Sequence, residues 1–274
     1  MTTTVLSPAT ASAPRAGRVP RVASLVRAEL LLLVRNRTTL FNAVALAPLT
    51  VFFLASLGMV PDAAGGAVAG MLVTALVALA LVIVVYYNLT TTLVARREEL
   101  VLKRLLTGDV SRTEIVVACA TPAVVVLLAQ VALGIVATGI WFELPPLQNL
   151  AWVLLALAGG VVVFVLLAAA SAGLTRTVET AQLTTLPVLM VATALSGLTV
   201  PLHLLPGAVE QVAQWTPMYP VVALMQHGLG AAMLDGTVPS GALADVAQPI
   251  AALALWIVLG ALAARRWMRW EPRR

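Results

Sequence analysis

Residues 96–114 read RREELVLKRLLTGDVSRTE, nine charged side chains in nineteen, within a chain that is only 11% charged. A charge-free run from Ala63 to Ala95 precedes this island and a second, from Ile115 to Phe142, follows it. Each run exceeds the roughly 20 residues that a helix needs to cross a bilayer core. An island this polar cannot lie in hydrocarbon, so it must protrude into water. Arg96, Arg97, Lys103 and Arg104, with Arg112 just beyond, place it on the cytoplasmic side. It is the candidate point at which a partner delivers mechanical work.

Composition agrees with spans on both sides. Of the 274 residues, 61% are hydrophobic, against about 45–50% in soluble domains. The pI of about 10.3 invites a nucleic-acid reading. The basic residues flank apolar spans instead of lining one exposed face, so no nucleic-acid partner is expected. The one cysteine, Cys119, excludes an internal disulfide and a cysteine-built metal site.

Taken in order, residues 1–20 are rich in Thr, Ser, Ala and Pro and read as a disordered cytoplasmic tail. Residues 21–39 place Val22, Leu25, Val26, Leu30, Leu33 and Val34 at helical spacing with arginines at both ends. That pattern predicts an amphipathic helix lying in the inner interface. Glu29 falls inside its apolar arc, with no role legible from the sequence. Residues 40–267 then predict six spans, at about 40–60, 67–93, 115–141, 149–174, 180–200 and 246–264. Residues 268–274 form a basic cytoplasmic tail.

The distribution of charge supports six. With both termini inside, all 17 Lys and Arg residues fall on the cytoplasmic side, and the outer loops hold only Asp62, Glu143, Glu210, Asp235 and Asp245. An odd number of spans would put the C-terminal arginines outside. The fold class expected is therefore an all-α membrane protein in the cell membrane. It has six transmembrane helices, an interfacial helix, a cytoplasmic coupling helix within 96–114 and an outer re-entrant segment.

Signs of chemistry are few. The chain contains no GxxxxGK[ST] phosphate loop, no HExxH and no GxSxG. His203 and His227 lie in the outer segment without a carboxylate at ligand spacing. A proton-coupled carrier would show an acid or histidine at mid-depth, and the spans show none. Asn88 and Gln130 are the candidate pathway residues, although an interhelical hydrogen bond is the competing reading of Gln130. No catalytic, cofactor or metal residue is expected.

The outer segment, residues 201–245, is too apolar for an ordinary loop and is cut by Pro201, Pro206, Pro217 and Pro220. It predicts two short helices, near 206–215 and 221–234, that dip into the outer leaflet and cap a pathway.

These pieces together resemble the membrane subunits of ABC-2 type exporters, in particular actinomycete drug and antibiotic efflux permeases. The resemblance runs from about Val22 to Trp267. It is carried by Arg35-Asn36-Arg37, by Arg97-Glu98-Glu99 through Leu102-Lys103-Arg104-Leu105, and by Ser196-Gly197 with Pro201, Leu205-Pro206 and Pro217. Leu100 stands where a glycine is common, and Thr107-Gly108-Asp109 replaces the usual Thr-Pro. The resemblance implies that the island's helix docks in a cleft of a separate ATP-binding cassette ATPase, which carries ATP and Mg. Val101, Leu102, Leu105 and Leu106 would then be apolar anchors, with Lys103 and Arg104 meeting an acidic rim. It also implies a second permease chain, as homodimer or heterodimer. The substrate expected is an amphipathic or lipid-like molecule. The alternatives are export of a polysaccharide or lipid-linked glycan, and a sensor or assembly component that transports nothing.

Overall fold

The computed structural model describes residues 18–35, 41, 44–45, 49, 53, 56, 65–107, 110–232 and 243–271. The tail up to residue 17 and the expected first span at 40–60, apart from those isolated positions, lie outside the described residues. Helices and turns make up the described residues, with no strand among them. Among the described residues, four helices are long and apolar enough to cross a membrane.

The packing centre is the helix Leu150–Leu174, here α5. Asn149 caps it by accepting the Ala151 amide at 3.0 Å, which satisfies one of the orphan donors at a helix start. Its inward face runs Ala156, Gly159, Gly160, Val163, Phe164, Ala168, Ala169 and Ala172. Small residues there let neighbouring backbones approach closely, and in lipid that packing takes the place of the hydrophobic drive. A Cβ on Gly173 would overlap the Trp267 carbonyl.

Against α5 lies α2, Gly65–Glu98, 34 residues and the most buried of the four long helices. Its middle, Leu81–Tyr87, widens into π-helical turns. Thr90 Oγ1 donates to the Tyr86 carbonyl at 2.7 Å and, just past these turns, Thr91 Oγ1 to the Asn88 carbonyl at 2.9 Å, so both hydroxyls are satisfied within the helix. Tyr86 also meets Phe164 edge-on at 6.3 Å and Ser171 Oγ at 3.0 Å, pinning α2 to α5.

The remaining helices are α1 (Arg18–Arg35), α3 (Val101–Leu106), α4 (Arg112–Trp141) and α6 (Val178–Ala194). They are followed by α7 (Gly207–Ala213), α8 (Tyr219–Leu229) and α9 (Leu243–Trp267). The first helix is described from Arg18 to Arg35, so it includes residues 18–20 of the expected tail, and residues 36–39 of the expected amphipathic stretch lie outside the described residues. Residues 268–271 do not form a free tail: Met268 and Trp270 pack on the core. The aromatic body of Trp270 sits under the Arg112 guanidinium, 5.7 Å from its centre, a cation–π contact.

Helix α8 is too short to cross. Its 11 residues reach only about 16 Å at 1.5 Å per residue, half of a hydrocarbon core of about 30 Å. It is nevertheless buried from Pro220 to Leu229, held between α2, α5 and α9. The Gly228 carbonyl accepts the amides of Gln148 and Asn149, each at 3.0 Å, and Ala232 donates to the Ala67 carbonyl at 2.9 Å. Gly230, at φ +53°, turns the chain out of the helix.

Candidate functional site

The island folds as a bracket at one end of the bundle. Helix α2 stops at Glu98, the chain reverses through Glu99 and Leu100, and α3 follows. Leu100 sits in the left-handed region at φ 60°, ψ 12°, where a side chain costs about 1–2 kcal/mol over glycine. The turn is closed by the Leu100 amide to Arg97 O at 3.1 Å and the Arg104 amide to Leu100 O at 3.1 Å. Beyond α3, Ser111 and Glu114 form a reciprocal capping box that starts α4.

Two adjacent arginines anchor this bracket in opposite directions. Arg96 makes a two-pronged ion pair with Glu29 of α1, both side chains largely shielded, and its Nη1 also lies 3.4 Å from Cys119 Sγ on α4. Arg97 is fully buried. Its guanidinium donates to Ala172 O at 2.7 Å, Thr175 O at 2.7 Å and Arg176 O at 3.0 Å. These are the orphan carbonyls at the end of α5, where a cation also meets the negative end of the helix dipole. Arg97 therefore acts inside the chain, as a clamp on α5, and offers no surface to a partner.

Leu102 likewise turns inward, with 1% of its surface exposed. The outward face of the bracket is Glu98, Glu99, Lys103 and Arg104, with Val101, Leu105 and Leu106 half-buried beside it. Lys103 Nζ reaches Glu271 at 3.1 Å, but both side chains are mostly exposed, so the pair contributes little to stability.

The two pathway candidates are not brought together. Asn88 lines a cavity of about 360 Å³ between α1, α2 and α4, which Glu29, Arg96 and Cys119 also line. Gln130 is wholly buried within the helix packing and lines none of the larger cavities described here.

The outer-cap candidates form the turns between α6 and α8. Ser196 Oγ accepts the Leu198 amide at 3.2 Å and donates to Thr193 O at 2.8 Å, and Gly197 follows at φ +83°. Pro201 opens a 3-10 turn over Leu202–Leu204, and Pro206 is the N-cap of α7. Pro217 lines an apolar groove of about 850 Å³ with Val188, Val191, Val212, Trp215 and Trp256.

Sequence reasoning missed three features. The partner of Glu29 lies 67 residues away, the inward turn of Arg97 depends on helix rotation, and the π-helical turns carry no composition signal. Leu100 stands where the resembling family commonly has glycine, and the structure places it in the left-handed region.

No curated protein sequence matches the chain. The family model for ABC-2 type transporters matches residues 20–229, a span that takes in the bracket, the long helices α2, α4 and α5, and the short helices as far as the end of α8. The chain belongs to the ABC-2 type transporter family.

Proposed function

We propose that this chain is the permease half of an exporter, moving an amphipathic or lipid-like small molecule out of the cell. The work comes from ATP hydrolysis on a separate ATP-binding cassette subunit. The observation that carries the reading is the bracket. Helix α3 exposes Lys103 and Arg104, while Arg97 and Arg96 tie its base to α5 and α1. A push on α3 is thereby transmitted to a buried span and to the surface helix together, which is what coupling to an ATPase requires.

The membrane orientation follows from charge. The bracket, α1 and the C-terminal arginines face the cytoplasm, and the cap faces outside. Buried short helices at the outer end support a cap that enters the leaflet and returns. Helix α6 leaves Leu183, Leu186 and Met190 exposed, an apolar face that suits a second permease chain.

The test is reconstitution with an ATP-binding cassette ATPase that co-purifies with this chain. Leu105→Asp places a carboxylate among the half-buried apolar residues of α3. It should abolish co-purification while leaving membrane insertion intact; recovery of the complex at the normal ratio contradicts the proposal. Amphipathic compounds should stimulate ATP hydrolysis in the intact complex, and a flat response to all of them would overturn the substrate class.

A further inference from the structure

Behind the cap lies a second, smaller cavity of about 220 Å³, lined by Glu210, Gln214, Tyr219, Gln226, His227 and His203 among others. Tyr219, Gln226 and His227 fall at i, i+7 and i+8 on α8 and so share one face. Glu210 faces them from α7. Gln226 and His227 are 7% and 8% exposed, and both line the cavity.

The polarity of the site has a definite sign. His227 Nδ1 lies 2.8 Å from the Ala223 carbonyl. A carbonyl only accepts, so the neutral ring carries its proton on Nδ1 and leaves Nε2 as an acceptor. Glu210 adds a carboxylate, Tyr219 a phenol oxygen and Gln226 an amide oxygen. Residues 177–264 contain no Lys or Arg, so the bases facing the Glu210 carboxylate from within that stretch are the imidazoles of His203 and His227. Acceptors converging beside a carboxylate select a group that donates several hydrogen bonds and carries positive charge. An ammonium does both, with up to three donors.

Two alternatives are weaker. Among the described residues no three His, Cys, Asp or Glu gather as a metal set. The volume is below the roughly 300–1,000 Å³ of drug-sized pockets, so the cavity suits a head group and not a whole molecule. Helix α7 divides the two spaces: it presents Glu210 to this cavity, while Ala208 and Val212 line the apolar groove. An amphiphile has a part suited to each.

We infer that the cavity between α7 and α8 binds the ammonium head group of an amphipathic amine, with Glu210 as the counter-charge and Gln226 and His227 as orienting acceptors. The inference deepens the export reading by naming a substrate class, and it rests on that reading only for the direction of movement.

The test measures occupancy directly. Gln214→Cys in a Cys119→Ala background places a thiol at the cavity wall of the full chain, reconstituted in phosphatidylcholine nanodiscs. Hexylammonium should slow alkylation of that thiol by an impermeant reagent at least about fivefold, whereas hexanol and hexyl sulfate should not. Glu210→Gln should remove the protection. His203→Cys provides a second reporter should the first variant fold poorly. Absence of protection at saturating amine, or equal protection by hexyl sulfate, overturns the site. ATP-driven transport is scored separately in the complex with its ATPase. Protection without transport of amines leaves the binding site standing and contradicts the export reading, whereas transport without protection contradicts the site alone.

Discussion

Glu29 and Arg96 form a two-pronged ion pair that ties the helix at the start of the chain to the first residue of the charged bracket. Their side chains are only 12% and 17% exposed. A pair this shielded gains little over two apolar residues, but removing one partner strands the other charge, at a cost of about 3–5 kcal/mol. Glu29→Gln and Arg96→Gln should each lower the thermal midpoint in detergent sharply, and the double variant should recover much of the loss. Single variants that melt like the parent would show that the two helices are not joined here.

Arg97 supports a separate prediction. Its fork satisfies three carbonyls at the end of α5, and charge-assisted bonds of this kind contribute about 1.5–3 kcal/mol each when the acceptors are otherwise buried. Arg97→Lys keeps the charge but not the fork. It should destabilise the chain measurably, with Arg97→Ala worse. Measured by thermal unfolding of the purified permease, equal effects of the two would show that charge and fork contribute nothing beyond the packing both variants lose.

Leu100 predicts a gain. Glycine at φ 60° relieves about 1–2 kcal/mol of strain but adds about 0.5–1 kcal/mol of unfolded-state entropy. Because Leu100 is 43% exposed, little packing is lost. Leu100→Gly should therefore stabilise the chain modestly, by up to about 1 kcal/mol on the same balance, and a loss of stability would mean that the leucine side chain has a contact role at this turn.

Much of the architecture was legible because charge and apolar length mark the ends of membrane helices. The fourth expected span began at Asn149, and the helix begins one residue later because Asn149 is its cap. The turn at Leu100 was not read from the sequence, although the glycine common at that position in the resembling family is the residue type that a positive φ favours. The roles of Arg96 and Arg97 were not legible. They are neighbours of identical chemistry, and the roughly 100° of rotation between successive helical residues sends one to Glu29 and the other to the end of α5. Hydrophobicity alone marks Leu102 as a docking anchor, and it does not distinguish an inward leucine from an outward one on a six-residue helix. The polar cavity behind the cap was equally hidden, since Glu210 and His227 lie on different helices.

Orientation is open to labelling. In a Cys119→Ala background, Glu210→Cys should react with an impermeant thiol reagent added to intact cells, and Arg269→Cys should react only after the membrane is opened. The reverse pattern would place the bracket outside and remove any contact with a cytoplasmic ATPase.

The central claim, that the exposed face of α3 receives the ATPase, is tested most directly by photo-crosslinking from two positions on opposite faces of that helix. A photoreactive residue replacing the exposed Arg104 should crosslink in cells to a chain carrying a GxxxxGK[ST] phosphate loop. The same residue replacing the buried Leu102 should give crosslinks only within this chain. Failure of position 104 to capture any ATP-hydrolysing chain, in cells where the complex is assembled, would contradict the account.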